Sequence, residues 1–571
     1  MITISVLEIV GIGSVFPLIA VLVDPTRINS LPIVADVYAW LQPIKADRFG
    51  MLMAAAVACL LATKVVVAGF SYRWQFKFAY DIQKSLATRL LKTYLFAPYR
   101  FYLNKNTADL LKNIQSEIPA LANGALIPSL QVASEAIVML AVLGLLFIVN
   151  PPLTAVAILI VGIIMPGVLT LTKRKTEAYA AQRRVTVGQM YRTASAALGG
   201  FKDLKVLGRQ QYFIKEYEGA SRKYCESNAY IMLMGQVPRL VLELVMFVGV
   251  IAVLLYATYW TGDARNALPL LGLYAVAAAR LMPSMNKIII GVMQIRYYRG
   301  VLGLLPTIFT DPNLASGGQV AGNAGKVTFE HQVRISDLSY RYPGAEHNAL
   351  EGISLVIPKG TTVAIVGPSG AGKTTLVDVI LGLLDDYTGK VEIDDVVLSK
   401  ENIEVWQRHV GYVPQSVFLA DDSIVRNVAF GVPPEHIDMQ AAARAIAAAQ
   451  LTETVAGLPH GLETIIGERG IRLSGGQRQR IGIARALYGN PDVLVLDEAT
   501  SALDGLTEQE IAQEIQLLAG QKTIIVIAHR LSTIRQCKTI FLLEQGKIST
   551  SGSYEELVRK SGYFAQVSAH R

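Results

Sequence analysis

Residues 361–384 read TTVAIVGPSGAGKTTLVDVILGLL, and they change character twice. Thr361–Val366 is a short β-branched and apolar run, the pattern of a buried strand. Gly367, Pro368, Ser369, Gly370, Ala371 and Gly372 come next, then Lys373, Thr374 and Thr375, and onward to Leu384 the apolar spacing is helical. A GxxxxGK[ST] loop between a strand and a helix is a phosphate cradle, because glycines let backbone N–H groups turn inward and the helix start adds positive dipole. Lys373 is then placed for the β and γ phosphates of ATP, and the Thr374 hydroxyl for Mg2+. An α/β nucleotide-binding domain is expected around this stretch.

Downstream, Val493–Leu496 (VLVL) is a second apolar strand, and it ends in Asp497-Glu498. Asp497 at the carboxyl end can hold Mg2+, and Glu498 can act as general base on an attacking water. Between the two strands lies RLSGGQRQR, residues 472–480. Ser474, Gly475, Gly476 and Gln477 open a helix there, a second anion-seeking N-terminus. One ATP needs one γ-phosphate cradle, so the economical arrangement closes this second site on ATP held by Lys373 of another copy. ATP would then join two domains, and hydrolysis would release them.

Upstream the composition is different. The mean hydropathy of +0.38 and 17% charged residues are too apolar for a soluble protein, where charged residues make up about 25%. The excess lies in the first 300 residues, which divides the chain into a membrane domain at 1–305, a linker at 306–325 and the ATPase domain at 326–571. Six segments are long enough to cross a bilayer, about 2–23, 50–72, 124–149, 153–172, 240–260 and 267–290. The stretches 72–119 and 172–239 hold eight and thirteen Lys or Arg, whereas 150–152 holds none, which makes the long basic loops cytoplasmic. Helical spacing in 81–95 and 185–198 extends the spans well into the cytoplasm, with short turning-point helices near 99–110 and 210–219. Residues 28–42, with a Tyr and a Trp, suit an interfacial helix on the outer face. Met1 opens on an apolar run with no basic region before it, so no cleaved signal peptide is expected, and the first span looks clipped at its start. Cys59, Cys225 and Cys537 form no metal or redox spacing. The net charge of +8 resides in the loops between spans, which argues against nucleic acid as a partner.

Ionisable residues in or beside spans default to function. They are Glu8, Lys64, Glu135, Arg239, Glu243, Arg280 and Lys287, with Arg296 just beyond. Arg239 and Glu243 stand four apart and can pair on one helix face. Arg280, Lys287 and Arg296 have no acid near them in sequence, and the first two lie two turns apart on one face. A positive stripe facing a cavity suits a phosphate or pyrophosphate head group. Pairing with Glu135 or Glu243 of another helix is the competing reading.

On these motifs, residues 326–571 resemble the nucleotide-binding domain of ATP-binding-cassette transporters, and the whole chain resembles an exporter half-transporter of that superfamily. The resemblance implies a multi-domain chain: a six-helix transmembrane domain of the type I exporter kind with long cytoplasmic extensions, followed by an α/β P-loop NTPase domain. It also implies roles for matching residues. Tyr342 in YRYP would stack on adenine, Gln415 in YVPQ would sense Mg2+, Glu468 in GERG would carry cross-talk, Asp504 in SALD would cross the dimer interface, and His529 would contact the γ-phosphate. No catalytic position departs from the pattern, which implies two competent sites in a homodimer. Pro238-Arg239 with Glu243, Arg280–Asn286 and Glu8–Pro17 are similar to lipid-linked oligosaccharide flippases of the PglK type. That resemblance implies a polyprenyl-pyrophosphate-linked glycan moved across the cytoplasmic (inner) membrane, with Arg239, Arg280, Lys287 and Arg296 as substrate residues. A lipid A or phospholipid flippase, a multidrug exporter, and an ATP-gated channel or regulator remain as alternatives. Six spans exclude a soluble cassette ATPase, and fusion of membrane and ATPase parts disfavours an importer.

Overall fold

The computed structural model describes residues 32–40, 46–103, 105–149, 151–256, 264–310, 327–498, 518–528 and 531–560, with scattered positions in the first apolar segment and residues 314, 513 and 564. Two compact units result, one of Met1–Ala97 with Phe101–Gly317, the other of Pro98–Arg100 with Gly318–Arg571.

The first unit is built of long helices: α1 (Ala46–Leu95), α2 (Ile127–Val149), α3 (Pro151–Gly199), α4 (Gln210–Tyr256) and α5 (Ala264–Phe309). α1 has 50 residues, which at 1.5 Å each spans about 75 Å, far beyond about 30 Å of hydrocarbon. Its basic, aromatic second half continues the apolar first half without a break, as the helical spacing of 81–95 requires. Among the described residues, Arg48–Leu95 and Thr107–Ile148 contain stretches apolar enough to cross a bilayer, with hydropathy 2.3 and 2.2. A short helix at Pro32–Trp40 leaves Trp40 exposed.

The segment leading into α2 widens to π-helical turns at Asn113–Glu117 and Ala122–Leu126, on either side of Pro119. Proline has no N–H to donate, so the turn around it must rearrange. Gly124 then lies against the Tyr298 ring, where a Cβ would overlap it. Nearby, Arg183 pairs with buried Glu117 at 3.5 Å and lies over Tyr298. The second turning point differs from expectation. It is the short helix Phe201–Leu207, closed by Gly208 at φ +65°, a left-handed cap that glycine alone adopts without strain. Residues 210–219 therefore begin α4 instead of forming the turn.

Among the described residues the second unit has two sheets. β1 (Gln332–Tyr340), β2 (Leu350–Pro358), β4 (Thr388–Ile393) and β5 (Val396–Val397) form an antiparallel sheet in the order β2-β1-β4-β5. β3 (Thr362–Val366), β6 (Val410–Val413), β7 (Val493–Asp497), β8 (Thr523–Ile527), β9 (Thr539–Glu544) and β10 (Lys547–Gly552) form the other, in the order β10-β9-β3-β8-β7-β6. β3 pairs in parallel with both β8 and β9. Val363 and Ile365 enter one apolar core, Ala364 and Val366 the other. A strand covered on both faces needs an unbroken apolar run, which is why TVAIV, VLVL and TIIVI carry no polar alternation. Two helices matter for the site, α6 (Lys373–Ile380) and α7 (Gly475–Tyr488).

Candidate functional site

Ligands of open parallel sheets bind outside the carboxyl ends of the strands. Here β3, β7 and β6 deliver the glycine-rich loop, Asp497-Glu498 and Gln415 to that edge of one sheet. The loop is tight enough to demand glycine at two places. A Cβ at Gly367 would overlap the Leu543 carbonyl, and one at Gly372, where φ is +99°, would lie 2.6 Å from the Ala349 carbonyl. Lys373 opens α6 and turns back into the loop, its Nζ donating to the Gly367 and Pro368 carbonyls, each at 2.9 Å. Burial holds this ammonium below the usual lysine range, while Glu498 and Asp497 act in the opposite sense. A buried cation facing two carboxylates at a helix start is the donor set a triphosphate with a hard cation requires.

Asp497 ends β7 and is buried, and the Tyr412 hydroxyl donates to its Oδ2 at 3.5 Å. Glu498 takes the left-handed region at φ +48°. Its N–H donates to the Ile527 carbonyl at 3.2 Å, and Gln415 Nε2 donates to its Oε2 at 2.6 Å. The structure thus brings Lys373, Gln415, Asp497 and Glu498 together. Asp378, one turn further along α6, is buried beside Asp497 and its carboxyl is pushed up to about 6, mainly by burial. Tyr342 is half-buried, within 3.1 Å of the Thr375 hydroxyl and edge-on to Tyr340.

Ser474 caps α7 in a reciprocal box: its hydroxyl accepts from Gln477 N–H at 3.2 Å, and Gln477 Oε1 accepts from Ser474 N–H at 2.9 Å. Ser474 is exposed, and these side-chain bonds stay within its own helix start, away from the Lys373 loop. Further along α7, Gln479 donates to the Glu498 carbonyl at 3.4 Å. Glu468 is exposed in the 3-10 turn Glu468–Gly470. Asp504 and His529 lie outside the described residues, as does Glu8.

Of the four cations expected to meet substrate, three are paired with carboxylates. Arg239 meets Glu243 at 2.8 Å on α4. Lys287 Nζ lies 2.6 Å from Glu135 Oε1, and Arg280 lies 3.5 Å from Oε2, which also accepts from Ser284 at 2.7 Å. The stripe on α5 is therefore shared with a carboxylate of α2, the competing reading of the sequence. Arg296 stands apart from that cluster, donating to the Leu169 carbonyl at 2.6 Å. Ser284, Tyr412 and Gln479 were not singled out by the sequence; each is an ordinary residue type whose partner lies 149, 85 and 19 positions away, respectively.

Two family models match the chain, "ABC transporter" over residues 350–501 and "ABC transporter transmembrane region" over 30–280. A protein of Burkholderia pseudomallei named ATP-dependent lipid A-core flippase is 30% identical over 554 residues, covering 93% of this chain and 90% of its own length. Proteins of the same name from Cupriavidus metallidurans and Pseudomonas aeruginosa are 33% and 31% identical, over 82% and 86% of this chain and 79% and 80% of their own lengths. The solved structure of a bacterial Atm1-family ABC exporter with ATP bound superposes with a TM-score of 0.79 at 24% identity, covering 100% of this chain and 97% of that one. The fold is the type I exporter fold, a transmembrane domain followed by a nucleotide-binding domain.

Proposed function

Because this chain belongs to the ABC transporter family, as an exporter half-transporter with a cytoplasmic ATPase domain, we propose that two copies form an ATP-driven flippase for a phosphorylated, lipid-anchored glycan of the lipid A-core class. The observation that carries this reading is the extent of the similarity. Alignment over 93% of the chain includes the membrane half, and cargo is chosen there, not in the engine. The polyprenyl-pyrophosphate glycan expected from short stretches of sequence has no such support and takes second place. Either cargo would present an anionic head group to Lys287 and Arg280, with Glu135 as the intramolecular counter-ion they already hold.

In the ATPase domain, Gly367–Thr375 would receive the triphosphate with Lys373, and the Tyr342 ring would receive adenine. Mg2+, held by oxygens of Thr374, Gln415 and Asp497, would neutralise phosphate charge. Glu498 would take the proton of the attacking water on a carboxylate that Gln415 orients. Ser474, Gly475, Gly476 and Gln477 of the second copy would complete each site. His529 would contact the γ-phosphate, while Glu468 and Asp504 would carry signals across the interface. The assembly would sit in the cytoplasmic (inner) membrane, with six spans per chain.

Reconstituted proteoliposomes loaded separately with a lipid A-core glycolipid, a polyprenyl-pyrophosphate glycan and a zwitterionic phospholipid test the cargo. ATP-dependent movement of the first is expected. Faster movement of the second would restore the polyprenyl reading, and hydrolysis with no movement of any of them would reject a flippase.

A further inference from the structure

Within the first unit, α2, α3 and α5 enclose a crevice of about 480 Å³, lined by Met139, Leu143, Ile158, Gly162, Leu169 and Arg296 among others. That volume lies in the range of ligand sites, about 300–1,000 Å³. Its charge is all at one end. Arg296 is the charged residue of the lining, and among the described residues its hydrogen bond to the Leu169 carbonyl is met by no carboxylate. A guanidinium has five N–H donors, so one carbonyl uses a small part of its capacity.

The depth of that end follows from α3. In the orientation proposed above, α3 reaches the cytoplasmic surface near residue 172, and the exposed Lys173, Arg174 and Lys175 come directly after it. Leu169, bonded to Arg296, is one turn away. Ile158 lies deeper by about 16 Å of helix. The crevice is therefore apolar toward the bilayer centre and cationic at the cytoplasmic head-group level.

We infer that it holds an acyl chain of a resident anionic phospholipid of the cytoplasmic leaflet, with the phosphate on Arg296 and Lys173–Lys175 alongside. The cargo glycolipid is a poorer occupant. Besides Arg296 the lining offers the Thr170 hydroxyl, and that already donates to the Pro166 carbonyl at 2.8 Å. Nothing there reads sugars, whereas basic residues at the membrane surface select anionic lipid. The site goes beyond the flipping reaction and survives or fails independently of it.

Native mass spectrometry of the full-length dimer, titrated with phosphatidylglycerol and with phosphatidylcholine of the same chains, tests this. The wild type should bind phosphatidylglycerol about five-fold more tightly, and Arg296→Gln should erase that preference. A Cβ at Gly162 meets nothing within 4 Å, so Gly162→Leu should fill the crevice and weaken both lipids. Equal affinity of the wild type for the two lipids, or an unaffected Gly162→Leu protein, overturns the inference. So does a retained glycolipid in place of phospholipid. A Gly162→Leu protein that falls to monomers would make the crevice a subunit interface and overturn it too. Glycolipid movement, assayed separately in proteoliposomes, judges the flippase reading by itself.

Discussion

Glu498 follows β7 in a left-handed conformation, φ +48°, which a non-glycine residue adopts at a cost of about 1–3 kcal/mol. The bonds to Ile527 and Gln415 hold it there. Replacing the carboxylate with an amide keeps the shape and removes the proposed base. Glu498→Gln should lower ATP turnover by about 10²–10⁴-fold while binding of a fluorescent ATP analogue persists. Wild-type turnover in that protein would assign the proton to another group. Asp378 makes a prediction of the opposite kind. Burial raises its carboxyl to about 6, so the folded domain binds that proton more tightly than the unfolded chain does. Stability from this group is fully present below about pH 4, the unfolded value, and is lost as pH rises through about 6. Asp378→Asn should therefore stabilise the protein at pH 8 by up to about 3 kcal/mol, and by about half as much at pH 5. Equal gains in thermal unfolding at both pH values would refute the assignment.

At the scale of elements, α2 and α5 are tied by one carboxylate shared between Lys287 and Arg280. If an anionic head group competes with Glu135 for these cations, Glu135→Gln should lower the glycolipid concentration that half-stimulates ATPase activity by about five-fold, an interaction of the size found inside membranes. Lys287→Gln should raise it. An unchanged concentration in both variants would make the cluster a helix clamp with no part in cargo binding. This tie also shows where sequence reading stops. The strand–loop–helix at 361–384 was legible because every part of it is local, and β3 starts one residue later than the pattern indicated. Glu135 and Lys287 stand 152 positions apart. Periodicity shows that Arg280 and Lys287 share a face, and only the packing of α5 on α2 decides what that face meets. The turn at Gly208 was misplaced for a related reason, since the apolar spacing of 210–219 suits a short helix and the start of a long one equally well.

At the scale of the molecule, the exposed cap of α7 and the buried Lys373 loop belong to one chain, yet the side-chain bonds of Ser474 remain inside its own helix start. Each has the donors of an anion site, and one triphosphate would need both only if they faced it from opposite sides, which two copies of the chain would permit. Lys373→Ala and Ser474→Arg should each abolish hydrolysis when every chain carries the lesion. Mixed dimers, purified through a different tag on each variant, then discriminate between the two arrangements. With sites shared across the interface, the Lys373→Ala loop faces the Ser474→Arg helix, so one site holds both lesions and the other holds neither. Single-turnover hydrolysis should reappear through that intact site. With each site inside one chain, every site keeps a lesion and the mixed dimer stays inactive.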